Sequence, residues 1–368
     1  MAGRIEYCVE ADPLRIRIGK HGGAVRSGIT KTEVIIGVFI AVAIVVAAMS
    51  ALFLDTTGKG GPGLGSDSVY DIEALTEVDP ALILYAESAA AIDTGFKKAR
   101  SIAVDGQGHI YVAGDESIKI FDKNGAVLKT ADSAGRVQAV AVDAEGGVYA
   151  GLRDHVEVYD SNLKRAATWK GLGESAVITS IAVSKDGDVF VADAGNRIVV
   201  RYDKSGGKVN DIGEKNDERN VPGFIIPSPH FDLVIPRDGM LRAVNPGRQR
   251  VEAYTFAGDF EFAWGRAGVD IEGFCGCCNP VSIAVLPDDS FVTCEKGLNR
   301  VKVYDHDGRF KGVVAGPKQL APGSAAVICT IPEQCQAGGF DVAADSEGNI
   351  YVLDTIRNVI RKFVLKKA

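Results

Sequence analysis

Six of the seven cysteines in this 368-residue chain follow residue 270. Three stand in the stretch Phe274-Cys275-Gly276-Cys277-Cys278-Asn279-Pro280, and Cys294, Cys329 and Cys335 come after it. Thiols grouped in this way support two chemistries. The first is disulfide bonding. Cys277 and Cys278 are neighbours with Cα atoms about 3.8 Å apart, closer than ordinary disulfide geometry. Cys275, Cys277 and Cys278 are therefore expected to pair with Cys294, Cys329 and Cys335, unless Cys329 and Cys335 close their own loop. The second is a thiolate metal or iron–sulfur centre, in which Cys-x-Cys-Cys gives several ligands and a distant cysteine completes four. The spacing fits none of the usual zinc or ferredoxin patterns, so disulfides are the first expectation.

The elements that must position these thiols repeat along the chain. One unit reads Ile102-Ala103-Val104-Asp105, Gly108, Ile110-Tyr111-Val112, then Ile118-Lys119-Ile120-Phe121. Comparable units start near Val140, Ile181, Leu233, Ile283 and Val342. Each is an apolar run, an Asp-x-x-Gly-like turn, an alternating strand, a polar hairpin and another alternating strand. A period of about forty residues built this way is the signature of propeller blades. The chain ends too soon for the sixth unit to supply a fourth strand. Ala81-Leu82-Ile83-Leu84-Tyr85-Ala86 is the expected substitute, closing the ring and covering open edges.

The units Ala192-Asp193-Ala194-Gly195-Asn196-Arg197-Ile198 and Glu295-Lys296-Gly297-Leu298-Asn299-Arg300-Val301 resemble the signature of NHL repeats. That resemblance covers roughly residues 80–368 and implies a six-bladed, all-β propeller. Domains of this kind serve as a lyase for peptidyl-hydroxyglycine, as extracytoplasmic sensor domains of receptor kinases, and as protein- or RNA-binding modules. The resemblance to the lyase implies zinc held by several histidines. This chain has five histidines, of which only His155 and His230 are expected on the face that carries the blade-entering loops.

Propeller geometry sorts the remaining polar residues. The loops leading into blades four, five and six (about 212–230, 264–280 and 316–339) are long and share one face, called the top here. Long connections of this kind are usually functional. They bring the six cysteines to one corner. Ser101, Ala139, Ser180, Asp232, Ser282 and Asp341 precede the six innermost strands. If they face the axis, Asp232 and Asp341 place two carboxylates at the channel mouth with His230 nearby. These groups are candidates for ligand binding, or for a metal in an enzyme of the lyase or lactonase kind. Alternatively they hold strand-end N–H groups.

Ahead of the propeller, residues 1–33 carry six Lys or Arg, and residues 34–54 carry no charge. As a helix the uncharged run would extend about 30 Å, the thickness of a bilayer core. The basic flank places the N-terminus in the cytoplasm. The expected organisation is a cytoplasmic segment 1–33, a signal-anchor helix 34–54, a Gly-rich tether 55–79 and an extracytoplasmic (periplasmic) propeller 80–368 on the inner or plasma membrane. A net charge of −7 argues against nucleic acid, which needs a concentrated basic surface. The expected partner is therefore a protein or small ligand on the top face, with a redox or metal-centre protein as the alternative.

Overall fold

A computed structural model describes residues 31–53, 72–88, 90–321 and 339–367. The chain divides into two units, Met1–Tyr70 and Asp71–Ala368. In the first, a helix covers Lys31–Phe53. Side chains are described in it without a break from 34 to 47. On the described residues no helix is long and apolar enough to cross a membrane, so the anchor rests on the sequence.

The second unit is a six-bladed propeller. Blades one to five are four-stranded antiparallel sheets, each a single continuous stretch of chain running from Ala99 to Asp132, Ala139 to Thr168, Ile178 to Ile212, Leu233 to Trp264 and Ser282 to Ala315. The sixth takes three strands from the C-terminus (Phe340–Ala344, Ile350–Asp354, Val359–Leu365). The ring closes from upstream, because Tyr85–Glu87 pairs with the last strand in the register Tyr85↔Leu365, Ala86↔Val364, Glu87↔Phe363.

The closing strand thus starts at Tyr85, four residues later than Ala81. Pro80 and the Asp79 carboxylate, which accepts the Ala81 N–H at 2.9 Å, set up a 3-10 turn over Pro80–Leu82. Ile83 then bridges Val313 of blade five. Ile92–Asp93 adds a second short pairing on the same last strand. Part of the expected tether is ordered as well: Ile72–Thr76 is a short helix, Thr76 is buried, and Glu77 pairs with Lys318.

Local chemistry accounts for the blades. In the Asp-x-x-Gly turn of blade one, Asp105 Oδ1 accepts the N–H groups of Gln107 and His109 at 2.8 and 2.9 Å. Gly108 there has φ +82°, a conformation costly for other residues. Blade five uses Asp289 at φ 62° instead, and Arg237 of blade four holds that carboxylate at 2.9 Å. Phe121, Tyr159, Tyr202, Tyr254, Tyr304 and Phe363, which recur at one repeat position, are all buried. Each contributes on the order of 1.5–3 kcal/mol through burial. Phe224, Phe231, Trp264 and Phe274 also belong to the core: Phe224 and Phe231 stack at 4.7 Å, and Trp264 and Phe274 lie 6.5 Å apart.

Candidate functional site

The innermost strands surround the axis, and at the head of all but one of them a polar residue reaches to a neighbouring blade. Ser180 Oγ of blade three donates to Asp232 Oδ1 of blade four at 2.5 Å. Asp232 Oδ2 accepts the Ile283 N–H of blade five at 2.7 Å. Ser282 Oγ of blade five donates to Asp341 Oδ1 of blade six at 2.8 Å. Asp341 Oδ2 accepts the Ile102 N–H of blade one at 2.8 Å, and Ser101 Oγ accepts the Val140 N–H of blade two at 3.3 Å. Five seams are sewn in this way: three–four, four–five, five–six, six–one and one–two. The sixth seam is the one where Ala139 has no polar atom to offer.

Each carboxylate also accepts the N–H that follows it, Leu233 at 2.8 Å and Val342 at 2.9 Å. Both axial carboxylates are therefore committed to the scaffold, each with three donors. Burial is the main cause pushing Asp232 up to about 7, reinforced by the nearby Asp341 carboxylate. Asp341 is raised as well, chiefly by burial. The pair is electrostatically uncomfortable when both groups are ionised.

Above this ring lies a cavity of about 700 Å³, with Asp232, Ser282 and Asp341 in its floor and wall. His230, Phe231, Phe340, Ile178 and Ile356 line it, and Lys98, Arg100 and Gln138 stand at its margin. The Lys98 and Arg100 side chains are exposed and make no hydrogen bond or ion pair within the described residues. Burial holds the His230 imidazole down at about 4, helped by the charges of Lys296 and Arg100, so the ring is neutral near pH 7. His155 instead bonds Asp154 at 2.8 Å in the blade-two hairpin and is absent from the cavity lining.

The loop leading into blade five is held by a buried charge cluster. Glu295, fully buried, receives Arg300 Nη2 at 2.8 Å and Lys302 Nζ at 2.7 Å. The cations also staple the loop backbone. Arg300 Nη1 donates to the Asp270 carbonyl at 3.0 Å, Lys302 Nζ to the Gly273 carbonyl at 2.7 Å, and Tyr304 Oη to the Glu272 carbonyl at 2.8 Å. Glu295 Oε2 accepts the Cys275 N–H at 2.8 Å. Desolvation lowers Lys302 to about 8 even with Glu295 beside it.

The expected cysteine cluster is described only in part. Cys275, Cys277, Cys278 and Cys294 are free thiols; Cys329 and Cys335 lie outside the described residues. Cys294 pairs across the sheet with Ser282 and is fully buried, its thiol pushed up by burial and then by the Asp341 and Asp232 charges. Cys277 Sγ and Cys278 Sγ approach to 3.2 Å. Side-chain rotation brings the two sulfurs this close at fixed Cα spacing, without a bond between them. Among the described residues no group of three or more Cys, His, Asp or Glu is arranged to hold a metal ion. The described donors alone do not complete a thiolate metal or iron–sulfur site.

Several participants were not singled out from sequence: Lys98, Arg100, Ser228, Asn279 and Lys296. One signal was available for Lys296. The residue after the acid or amide that ends the second strand (Asp193, Asn245, Asp354) is Ala194, Pro246 or Thr355 in blades three, four and six, and the lysine after Glu295 is an exception.

Comparison with known proteins supports the fold. No family model matches the chain, so the NHL assignment itself is not confirmed. No curated protein matches it either. Among solved structures, a streptogramin B lyase matches at TM-score 0.53 and 11% identity, over 78% of this chain and 100% of the other. A catalytically inactive virginiamycin B lyase from Staphylococcus aureus, solved with quinupristin, matches at TM-score 0.50 and 12% identity, over 74% and 82%. A Bacteroides thetaiotaomicron protein of unknown function matches at TM-score 0.51 and 15% identity, over 77% and 72%. At these identities the likeness speaks to the six-bladed propeller alone.

Proposed function

We propose that this chain is a membrane-anchored, extracytoplasmic binding module whose axial pocket receives an anionic small ligand or an anionic side chain of a partner protein. The observation that carries this reading is the division of labour in the pocket. The acids of the floor are spent on sewing the blades together, whereas the Lys98 and Arg100 side chains are exposed and have no partner among the described residues. The apolar wall of Ile178, Phe231, Phe340 and Ile356 suits a ligand with a hydrocarbon body, the usual composition of such sites. The uncharged stretch 34–54 and its basic N-terminal flank support the anchor.

A panel of carboxylates and their neutral amide analogues, screened by thermal shift, tests the pocket. An anion that binds only the folded protein raises the melting temperature by mass action. Arg100→Glu and Lys98→Glu are expected to abolish that rise while leaving the unliganded protein intact. Equal responses to acids and amides, or no effect of the substitutions, would refute the reading. Alkaline extraction of membranes tests the anchor: the full chain should stay in the pellet and a chain lacking residues 34–54 should not.

A neutral His230 imidazole in the pocket, with no side-chain hydrogen bond among the described residues, favours one second reading, a general base for proton abstraction of the lyase kind. Loss of turnover in His230→Gln with unchanged ligand affinity would support that reading over simple binding.

A further inference from the structure

Two thiols are used neither by the axial pocket nor by the blade scaffold. Cys277 Sγ and Cys278 Sγ are 3.2 Å apart, the first exposed and the second half-buried. The turn that carries them is fixed on both flanks. The Cys275 N–H donates to Glu295, and the Cys275 carbonyl accepts Asn279 Nδ2 at 2.6 Å. Asn279 also donates to the Lys296 carbonyl at 2.9 Å and accepts the Lys296 N–H at 2.8 Å. Gln249 Nε2 donates to the Gly276 carbonyl at 3.1 Å. Gly276 takes φ +80° at the apex, with open space where a Cβ would sit.

Behind the pair is a cation. The Lys296 side chain is buried, its ammonium donates to Ser228 Oγ at 2.9 Å, and both sulfurs act on its charge. Burial pushes the Cys278 thiol up, and its contact with Cys277 does so further. Either sulfur can donate to the other across this contact, and Cys277 is the one open to solvent. An exposed cysteine with a second thiol in contact and an ammonium beside the pair is the arrangement of a reactive thiol.

We propose that Cys277 and Cys278 are a dithiol–disulfide redox site, with Lys296 the positioning cation that steadies the thiolate during exchange with a small-molecule or protein disulfide. The Cys277 thiolate attacks one sulfur of the incoming disulfide, forming a mixed disulfide and expelling the first thiolate. Cys278 loses its proton to that departing thiolate and attacks Cys277 Sγ, expelling the second, which takes a proton from solvent. The two cysteines give up two electrons, and the incoming disulfide is reduced to two thiols. Oxidation would deprive Lys296 of its sulfur partner. Ser228 is two residues from His230 of the pocket wall, and its carbonyl accepts the His230 N–H at 2.7 Å. The redox state of the pair thus bears on the pocket.

The test uses the full chain in detergent, equilibrated with glutathione buffers of graded composition, acid-quenched, alkylated and mapped by mass spectrometry. The expected result is a reversible loss of two hydrogens confined to the peptide that carries Cys277 and Cys278. Lys296→Met should slow exchange about three- to tenfold, as less thiolate is offset in part by greater nucleophilicity, and Lys296→Arg should restore it. Both thiols remaining reduced in excess oxidised glutathione would overturn the proposal. So would pairing of either with Cys275, Cys294, Cys329 or Cys335, or an unchanged rate in Lys296→Met. Phenylarsine oxide gives a second measurement on unmodified protein. One equivalent should bind and be displaced by a dithiol but not by a monothiol; no binding counts against the site. None of these readouts depends on an anion occupying the axial pocket.

Discussion

Replacing Asp232 with asparagine should alter how stability depends on pH more than stability itself. Asp232 is raised by burial and by Asp341 to about 7, so the folded state holds a proton that the unfolded chain releases near pH 4. Its contribution to stability is therefore full at low pH and is lost as pH rises through about 7. Between pH 5 and 7.5 that is about two units, or about 3 kcal/mol in favour of the lower pH. His230 opposes it. Burial lowers the imidazole to about 4, so the unfolded chain takes up a proton near 6.5 that the folded protein refuses. Stability then falls as pH drops below 6.5, by about 2 kcal/mol at pH 5. Both figures are upper limits, because both groups open on the pocket and are screened.

The wild-type protein should accordingly show a nearly flat profile between pH 5 and 7.5. Asp232→Asn leaves the histidine term opposed only by Asp341, which burial also raises, so this variant should lose up to about 1–2 kcal/mol on going to pH 5. His230→Gln leaves the aspartate term, so it should gain about 1–3 kcal/mol over the same interval. The asparagine variant also orphans one buried N–H, either Leu233 or Ile283, at about 1–3 kcal/mol at every pH. That shifts its curve without tilting it. Urea unfolding at pH 5, 6, 6.5, 7 and 7.5 measures the slopes directly. Three parallel profiles would refute the reasoning, since neither group would then carry a shifted titration.

Other perturbations test other parts of the structure. Removing residues 80–90 opens blade six and frees Arg361 from Glu87, an ion pair of 2.6 Å. Unchanged melting of that truncation would discount the closure. Glu295→Gln leaves Arg300 and Lys302 buried without a counter-charge, which should cost about 3–5 kcal/mol in chemical unfolding and loosen protection of the Cys275 amide from hydrogen exchange. Gly195→Ala places a Cβ 1.8 Å from the Ser175 carbonyl oxygen. It should lower the melting temperature more than Gly106→Ala, where the added Cβ meets no neighbour within 4 Å.

The six units, their turns and their buried aromatics were legible in the sequence because blade architecture is local. Strand alternation, an Asp that caps its own turn and a glycine at positive φ all act within a few residues. The heads of the inner strands could be found from the same periodicity. Their role could not: Asp232 and Asp341 meet partners 51 to 52 and 59 to 239 residues away. Only ring closure decides that those partners are donors rather than ligands.

The cysteine loop divides in the same way. Sequence marked Cys275, Cys277 and Cys278 as the stretch most unlike the repeat, and the apolar run 34–54 as a membrane candidate, from composition alone. It could not say that Glu295, Arg300 and Lys302 staple the loop to blade five, that Cys294 is buried within reach of the axial carboxylate charges, or that Lys296 stands behind the thiol pair. Residue types and spacing set what each side chain is able to do. The tertiary structure decides which charges are desolvated together, and so which of those capacities are used.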